Sequence, residues 1–325
     1  MIMSDKFIFQ NARIKSMETK LLGAQQLQRL TESVSADEFR RVLSESGFGA
    51  AAGETSDVDA MLAAEEKGAL DVLKEFNVDG LLDAFVLPAD YHNLKALLKA
   101  SFTGDRRPVL GAEGLLSEEK LRAGIDGDLS SLRPEMAAAV RSVAKAAAEG
   151  RLTPHGIDCA VDKAMFADTE RTAKKCGKEA AEYFRFKTDC ANISSFFRCR
   201  RFGLGVKVFA ENFMPGGELA EEFFTAVYEA ADDAFRDRCR STPYEDAVAF
   251  FAESGSLTAF EVYVDNKLLD IWRSRKDDMF GCAPVVGYYY AKVTEIRAVK
   301  LAYAGVGNRT DARLIKERMR ELYGA

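Results

Sequence analysis

Asp189-Cys190-Ala191-Asn192-Ile193-Ser194-Ser195-Phe196-Phe197-Arg198 is one of three related stretches in this chain. Asp90-Tyr91-His92-Asn93-Leu94-Lys95-Ala96-Leu97-Leu98-Lys99 precedes it by 99 residues, and Glu295-Ile296-Arg297-Ala298-Val299-Lys300-Leu301-Ala302-Tyr303 follows it by 106. Each copy places an acid first, Asn or a small residue three positions later, an aliphatic next, and then an apolar run. A recurrence near a hundred residues is too long for an ordinary solenoid unit. It implies three related helical lobes, which we place at residues 1–115, 116–215 and 216–325.

The recurrence reaches beyond the signature. Asp158-Cys159-Ala160-Val161-Asp162 lies upstream of the second copy, and Glu261-Val262-Tyr263-Val264-Asp265 upstream of the third, 103 residues on. Met17-Glu18-Thr19-Lys20-Leu21-Leu22 is a looser counterpart near the start. Downstream, Gly104-Asp105-Arg106-Arg107-Pro108 and Met214-Pro215-Gly216-Gly217 each lead into a further helix. Gly305-Val306-Gly307-Asn308-Arg309-Thr310 leads into the last one.

Helical periodicity runs through the chain. Phe7, Ile14 and Leu21 are spaced by seven, and Tyr91, Leu94, Leu97 and Leu98 form a stripe after Pro88, which suits a helix start there. Val286, Tyr289, Val293, Ile296, Lys300 and Tyr303 form another, whose lysine either snorkels or meets an acid on another helix. Ser35, Thr153-Pro154, Thr242-Pro243 and Thr310-Asp311 are helix-start signals. Gly47 to Ser56 reads as an exposed loop. No period-two segment with a hairpin turn is present, so the fold class is all-α.

Composition narrows the function. The 325 residues carry a net charge of −6 with 47% hydrophobic and 30% charged residues, as in an ordinary soluble protein. No basic stripe calls for nucleic acid. No stretch approaches eighteen apolar residues; the candidate Val285 to Val293 contains Lys292 and three tyrosines. Met1 to Lys6 does not read as the start of a secretory leader. The six cysteines form no Cys-x-x-Cys pair and read as reduced, mostly buried small hydrophobes.

In the first and third signatures the acid and the lysine are five residues apart, which rotates them by about 140° around a helix. Asp90 therefore cannot pair with Lys95, nor Glu295 with Lys300, and any partner must come from another helix. Asn93 and Asn192 are poor mid-helix choices unless their side chains bond across helices. Asp90, Asn93, Asp189, Asn192 and Glu295 thus read as polar joints repeated from lobe to lobe.

The search for chemistry returns no catalytic, cofactor-binding or metal-binding residue. Two histidines, His92 and His155, offer no zinc set without Cys-x-x-Cys. Gly203-Leu204-Gly205-Val206-Lys207 and Gly305-Val306-Gly307-Asn308 lack the Walker spacing and follow no strand, so both read as helix ends.

Several segments together resemble the C-type subunit of the bacterial and archaeal V/A-type ATPases, a relative of the eukaryotic d-type subunit. They are Asn11 to Leu22, Tyr91 to Ala100, Gly156-Ile157-Asp158 with Val161 to Phe166, Met214 to Leu219, Pro284 to Lys292, and Ile315 to Tyr323. Their order is kept over nearly the whole chain. Ala298 departs from the family pattern, which more often has the Asn seen at Asn93 and Asn192.

The resemblance implies a three-lobed helical funnel without catalysis or direct nucleotide binding. It would couple central-stalk shaft subunits of the D/F type to the membrane proteolipid ring from the cytoplasmic face, in a complex moving H⁺ or Na⁺. A collar of that kind needs grips, and the inter-helix loops supply candidates: Arg106 and Arg107, Phe213 and Met214, and Arg309. An α-helical repeat scaffold and an α-helical enzyme built from scattered carboxylates are the alternatives. The enzyme requires a pocket lined by ionisable groups.

Overall fold

The computed structural model describes residues 7–53, 55, 57–104 and 107–324, with the backbone alone at Asp232. Among them are sixteen α-helices and no strand. In chain order these are α1 (Ile8–Glu18), α2 (Ala24–Thr31), α3 (Ala36–Glu45), α4 (Val58–Glu75), α5 (Asp83–Thr103), α6 (Glu118–Ile125), α7 (Pro134–Ala148) and α8 (Pro154–Ala173). There follow α9 (Lys178–Arg201), α10 (Val206–Asn212), α11 (Glu221–Thr225), α12 (Asp232–Cys239), α13 (Glu245–Ser254), α14 (Leu257–Arg273), α15 (Ala283–Gly307) and α16 (Ala312–Lys316). The chain is all-α.

The helices gather into two compact units. One holds the chain up to Val78 together with the chain from Ser254 onward; the other is Asp79–Glu253. In the first unit α15 packs against α1, α2, α3, α4, α14 and α16. A helix enclosed by so many neighbours must be apolar on more than one face. Accordingly Val285, Val286, Ala291, Val299 and Ala302 are all buried. The lysine of its predicted stripe, Lys300, is exposed.

In the second unit α5 and α8 run antiparallel. Tyr91 meets Asp168, Lys95 meets Asp162 at 2.5 Å, and Lys99 meets Asp158 at 2.6 Å, so the pairing descends one helix as it climbs the other. Lys95 therefore finds its acid on another helix. Leu94, Leu98, Leu121, Met136, Val140 and Val161 fill the space between α5, α6, α7 and α8. Around α9 the core is aromatic: Phe196 stacks on Phe235 at 4.2 Å and meets Phe209 and Tyr228 edge-on. Such pairs add stability beyond the area they bury.

Local signals explain most boundaries. Ser35 accepts the N–H of Glu38, Thr153 that of Gly156 and Asp311 that of Arg313, each capping its helix. Pro88 is a correction: α5 begins five residues earlier, at Asp83, and Pro88 lies inside it. The lost N–H costs one helical bond. Burial of Phe85, Val86 and Leu87, each 1% exposed or less, outweighs it. The six cysteines are unpaired, five of them buried.

Candidate functional site

All five signature polar residues are buried: Asp90, Asp189 and Asn192 fully, Glu295 at 2% and Asn93 at 5% exposure. Buried polar groups must find partners. Here the partners are backbone groups of a connecting loop, and the pattern repeats. Asp90 accepts the N–H of Leu115 at 2.9 Å and of Leu116 at 3.0 Å, the two residues before Ser117, which caps α6. Asp189 accepts the N–H of Glu218 at 2.8 Å and of Leu219 at 3.1 Å, the two residues before Ala220 at the start of α11. Glu295 accepts the N–H of Leu22 at 2.6 Å, the residue before Gly23 at the start of α2.

The asparagines hold the same loops one turn further along. Asn93 accepts from Gly111 N–H and donates to the Ala112 carbonyl. Asn192 accepts from Met214 N–H at 2.8 Å and donates to its carbonyl at 2.9 Å. Each Asp and Asn pair thus clamps a loop along its helix. At the third copy Ala298 removes the clamp, and its buried methyl packs with Leu27 and Leu322 instead.

Close approach of loop to carboxylate explains two glycines. A Cβ on Gly114 would overlap the Asp90 carboxylate, and one on Gly217 the Asp189 carboxylate. Gly217→Ala is therefore expected to destabilise the fold by about 1–3 kcal/mol, the usual range for overpacking a filled site. Gly68, exposed inside α4, has open space where its Cβ would stand. Gly68→Ala should stabilise by about 0.5–1 kcal/mol, because alanine loses less freedom in a helix. Urea melts of the two variants check the opposite signs; a neutral Gly217→Ala would mean the clamp is slack.

Two signature carboxylates differ in their electrostatics from Asp168, which lies outside the signatures. Asp189 is served by the Tyr244 O–H and two amides, yet burial dominates and holds its pKa above the usual carboxylate range. Burial likewise raises Glu295, although Lys292 stands 3.0 Å away and in turn lies 2.7 Å from Glu65. In the second unit Tyr91, inside the first signature, donates to Asp168. Burial would raise Asp168, but Arg133 grips both its oxygens at 2.6 and 2.7 Å and brings it below the usual range. Sequence reasoning misses Arg133, Asp168 and Glu65, since none belongs to a repeated motif.

The candidate grips fall out differently. Arg107 and Arg309 are exposed, with Arg309 at a φ of 53°. Arg106 lies outside the described residues. Phe213 and Met214 are half-buried: the Phe213 ring meets Phe209 and Phe224 edge-on, and the Met214 backbone is held by Asn192. A more exposed aromatic sits earlier in the chain, where Phe202 is 69% exposed.

Among the described residues no group of three or more His, Cys, Asp or Glu is placed to hold a metal ion. His92 and His155 are exposed. A cleft of about 480 Å³ beside Gly47, Gly49 and Gly53 is lined by Ser44, Phe48, Thr55 and Met61, with no ionisable side chain. Among the described residues no helix is long and apolar enough to cross a membrane.

The family described as ATP synthase (C/AC39) subunit matches residues 10–318. The chain is 29% identical over 316 residues to the C subunit of the V-type ATP synthase of Thermus thermophilus, covering 92% of this chain and 93% of that one. It is 23% identical over 325 residues to the C subunit of the V-type sodium ATPase of Enterococcus hirae, covering 96% and 98%. Against the C subunit of the A-type ATP synthase of Methanobrevibacter smithii the identity is 24% over 318 residues, covering 91% and 83%.

Proposed function

The chain belongs to the ATP synthase (C/AC39) subunit family, and we propose that it is a non-catalytic coupling subunit of the central rotor. In this reading it stands on the cytoplasmic face of the membrane. It joins shaft subunits of the D/F type to the proteolipid ring, so that rotation links ATP hydrolysis or synthesis to ion transport. In this reading the ion is H⁺ or Na⁺; one relative is named for a sodium ATPase and another for an ATP synthase. We further propose the three lobes as its plan, with Arg106, Arg107, Phe213, Met214 and Arg309 as partner contacts.

The observation that carries the reading is the repeated clamp. Torque passes only through parts that do not yield, and here each signature helix is tied through a buried carboxylate to the start of another helix. Removing such an acceptor leaves buried donors unsatisfied, so these ties are costly to break. A binding scaffold has no need of such ties where it meets no load. An enzyme would need ionisable groups facing a cleft; the cleft beside Gly49 has none, and Glu118, Glu119, Arg122 and Asp126, which line a depression of about 570 Å³, lie exposed along α6 and its end.

The test is expression of the tagged chain with the remaining subunits of its ATPase. We expect shaft and ring subunits to co-purify with it from membranes. Deletion of the chain should leave ATP hydrolysis in the head but uncouple it from ion movement. Coupled pumping without the chain, or capture of neither partner, would overturn the proposal.

A further inference from the structure

One short stretch breaks two habits of this chain. Arg198-Cys199-Arg200-Arg201-Phe202-Gly203-Leu204-Gly205-Val206-Lys207 holds three arginines and one lysine, and no acid, in a protein of net charge −6. It also exposes three apolar side chains in a row of alternate positions: Phe202 at 69%, Leu204 at 41% and Val206 at 37%.

The stretch is built, not loose. Gly203 is left-handed at a φ of 64°, which ends α9 in a paired turn: Leu204 N–H donates to the Cys199 carbonyl at 2.9 Å and Gly203 N–H to that of Arg200 at 3.0 Å. The Leu204 carbonyl then accepts the Tyr228 hydroxyl at 2.7 Å. The backbone is fixed from two sides while the apolar side chains stay solvated. Such a tip loses little freedom when it binds.

Its charges are only partly explained by the fold. Arginines in the last turn of α9 suit the negative end of the helix. Lys207 does not: it stands in the first turn of α10, where the helix end is positive and a cation is unfavourable. Arg201 and Lys207 are both exposed and flank the apolar row.

We propose that Phe202, Leu204 and Val206, edged by Arg201 and Lys207, form a preformed knob that docks into a partner protein. The matching surface on that partner is an apolar depression rimmed by carboxylates. The inference rests on the reading of this chain as a subunit of a larger complex, and it deepens that reading by naming a grip. A solvated aromatic anchor with a cationic rim is the composition of an interface hot spot. A protein socket fits better than an anionic bilayer. Membrane anchoring by charge takes a cluster of roughly four to eight free cations. Here Arg200 is engaged inward, donating to the Ala230 carbonyl and lying over Phe196.

The experiment uses the intact complex. Wild type, Phe202→Ser/Leu204→Ser and Arg201→Glu/Lys207→Glu are each expressed with the partner subunits and purified from membranes. Phe202→Leu serves as the conservative control, and thermal melts of each isolated chain verify folding. We expect both double variants to fold and to be retained in the complex at least about tenfold less, with Phe202→Leu retained normally. Retention of wild type should fall with salt, and that dependence should flatten in the charge-reversed variant. Normal retention of both double variants beside a normally retained wild type would overturn the knob alone. Failure of wild type itself to be retained would overturn the coupling reading. Binding of the isolated wild type, but not the variants, to phosphatidylserine-rich vesicles would overturn the protein socket in favour of a bilayer.

Discussion

Arg133→Ala is expected to destabilise the second unit by about 3–5 kcal/mol, the usual cost of stripping the partner from a buried charge. Asp168 has no solvent exposure, and the Arg133 guanidinium grips both of its oxygens. Thr172, Tyr91 and Arg171 complete the site, but neutral donors cannot replace the cation, and Arg171 is half exposed. Direction of the pH effect follows from the pKa. Burial alone would raise Asp168, but Arg133 brings it below its ordinary 3.8. A carboxyl depressed in the folded state adds stability that is present above its unfolded value and lost as pH falls through its folded value. The wild type should therefore shed this contribution below about pH 3.8. In the variant nothing of equal strength opposes burial, so its deficit should be widest near neutrality and narrow in acid. Urea melts across pH measure both. Arg122→Ala, which removes an exposed i,i+4 partner of Glu118, should change stability by no more than about 0.5 kcal/mol. Equal effects of the two substitutions would show that the Asp168 network carries no stability.

The sequence exposes the clamps only in part. Asp90, Asn93, Asp189 and Asn192 stand out because a mid-helix Asn is a poor choice unless it is bonded, and because the spacing repeats. Their partners are invisible, since an amide or carbonyl of Gly111, Met214 or Leu219 is common to every residue type. Gly114 and Gly217 become legible only once the carboxylates beside them are placed. Ala298 reads as a departure from pattern, while its reason, the Leu27 and Leu322 contact, draws on both ends of the chain. Arg133 and Asp168 lie 35 residues apart, one just before α7 and the other on α8, with no periodicity to link them. Pro88 misleads because a local rule about helix starts is overridden by burial of the residues before it. Phe202 is hidden for a similar reason. A glycine-flanked helix end looks the same in sequence whether its neighbours fold inward, as Phe213 does, or outward.

The third signature carries a heavier load than its single Leu22 bond suggests, and Lys292→Met should show it. Lys292 lies between Glu65 at 2.7 Å and Glu295 at 3.0 Å, and the three side chains are 11%, 14% and 3% exposed. Replacing the ammonium with an apolar group of similar length keeps the packing and leaves two near-buried carboxylates facing each other. The expected loss is about 3–5 kcal/mol at neutral pH. In the wild type burial would lower Lys292, but Glu295 and Glu65 outweigh it and hold the pKa above its ordinary 10.5. Its stabilisation is therefore fully present below pH 10.5 and lost as pH rises through the folded value. In Lys292→Met the sign turns on the acids instead. Glu295, which burial already holds above its ordinary value, loses its counter-charge, so the variant should regain stability as pH falls toward the carboxylate range. Adding Glu65→Gln should recover part of the loss, because one charge is removed while Glu295 keeps its bond to Leu22. Glu295→Gln should recover less, since a neutral amide oxygen accepts that N–H more weakly than a carboxylate does. Equal rescue by both would mean that Glu295 serves only as a counter-charge and does not clamp the start of α2.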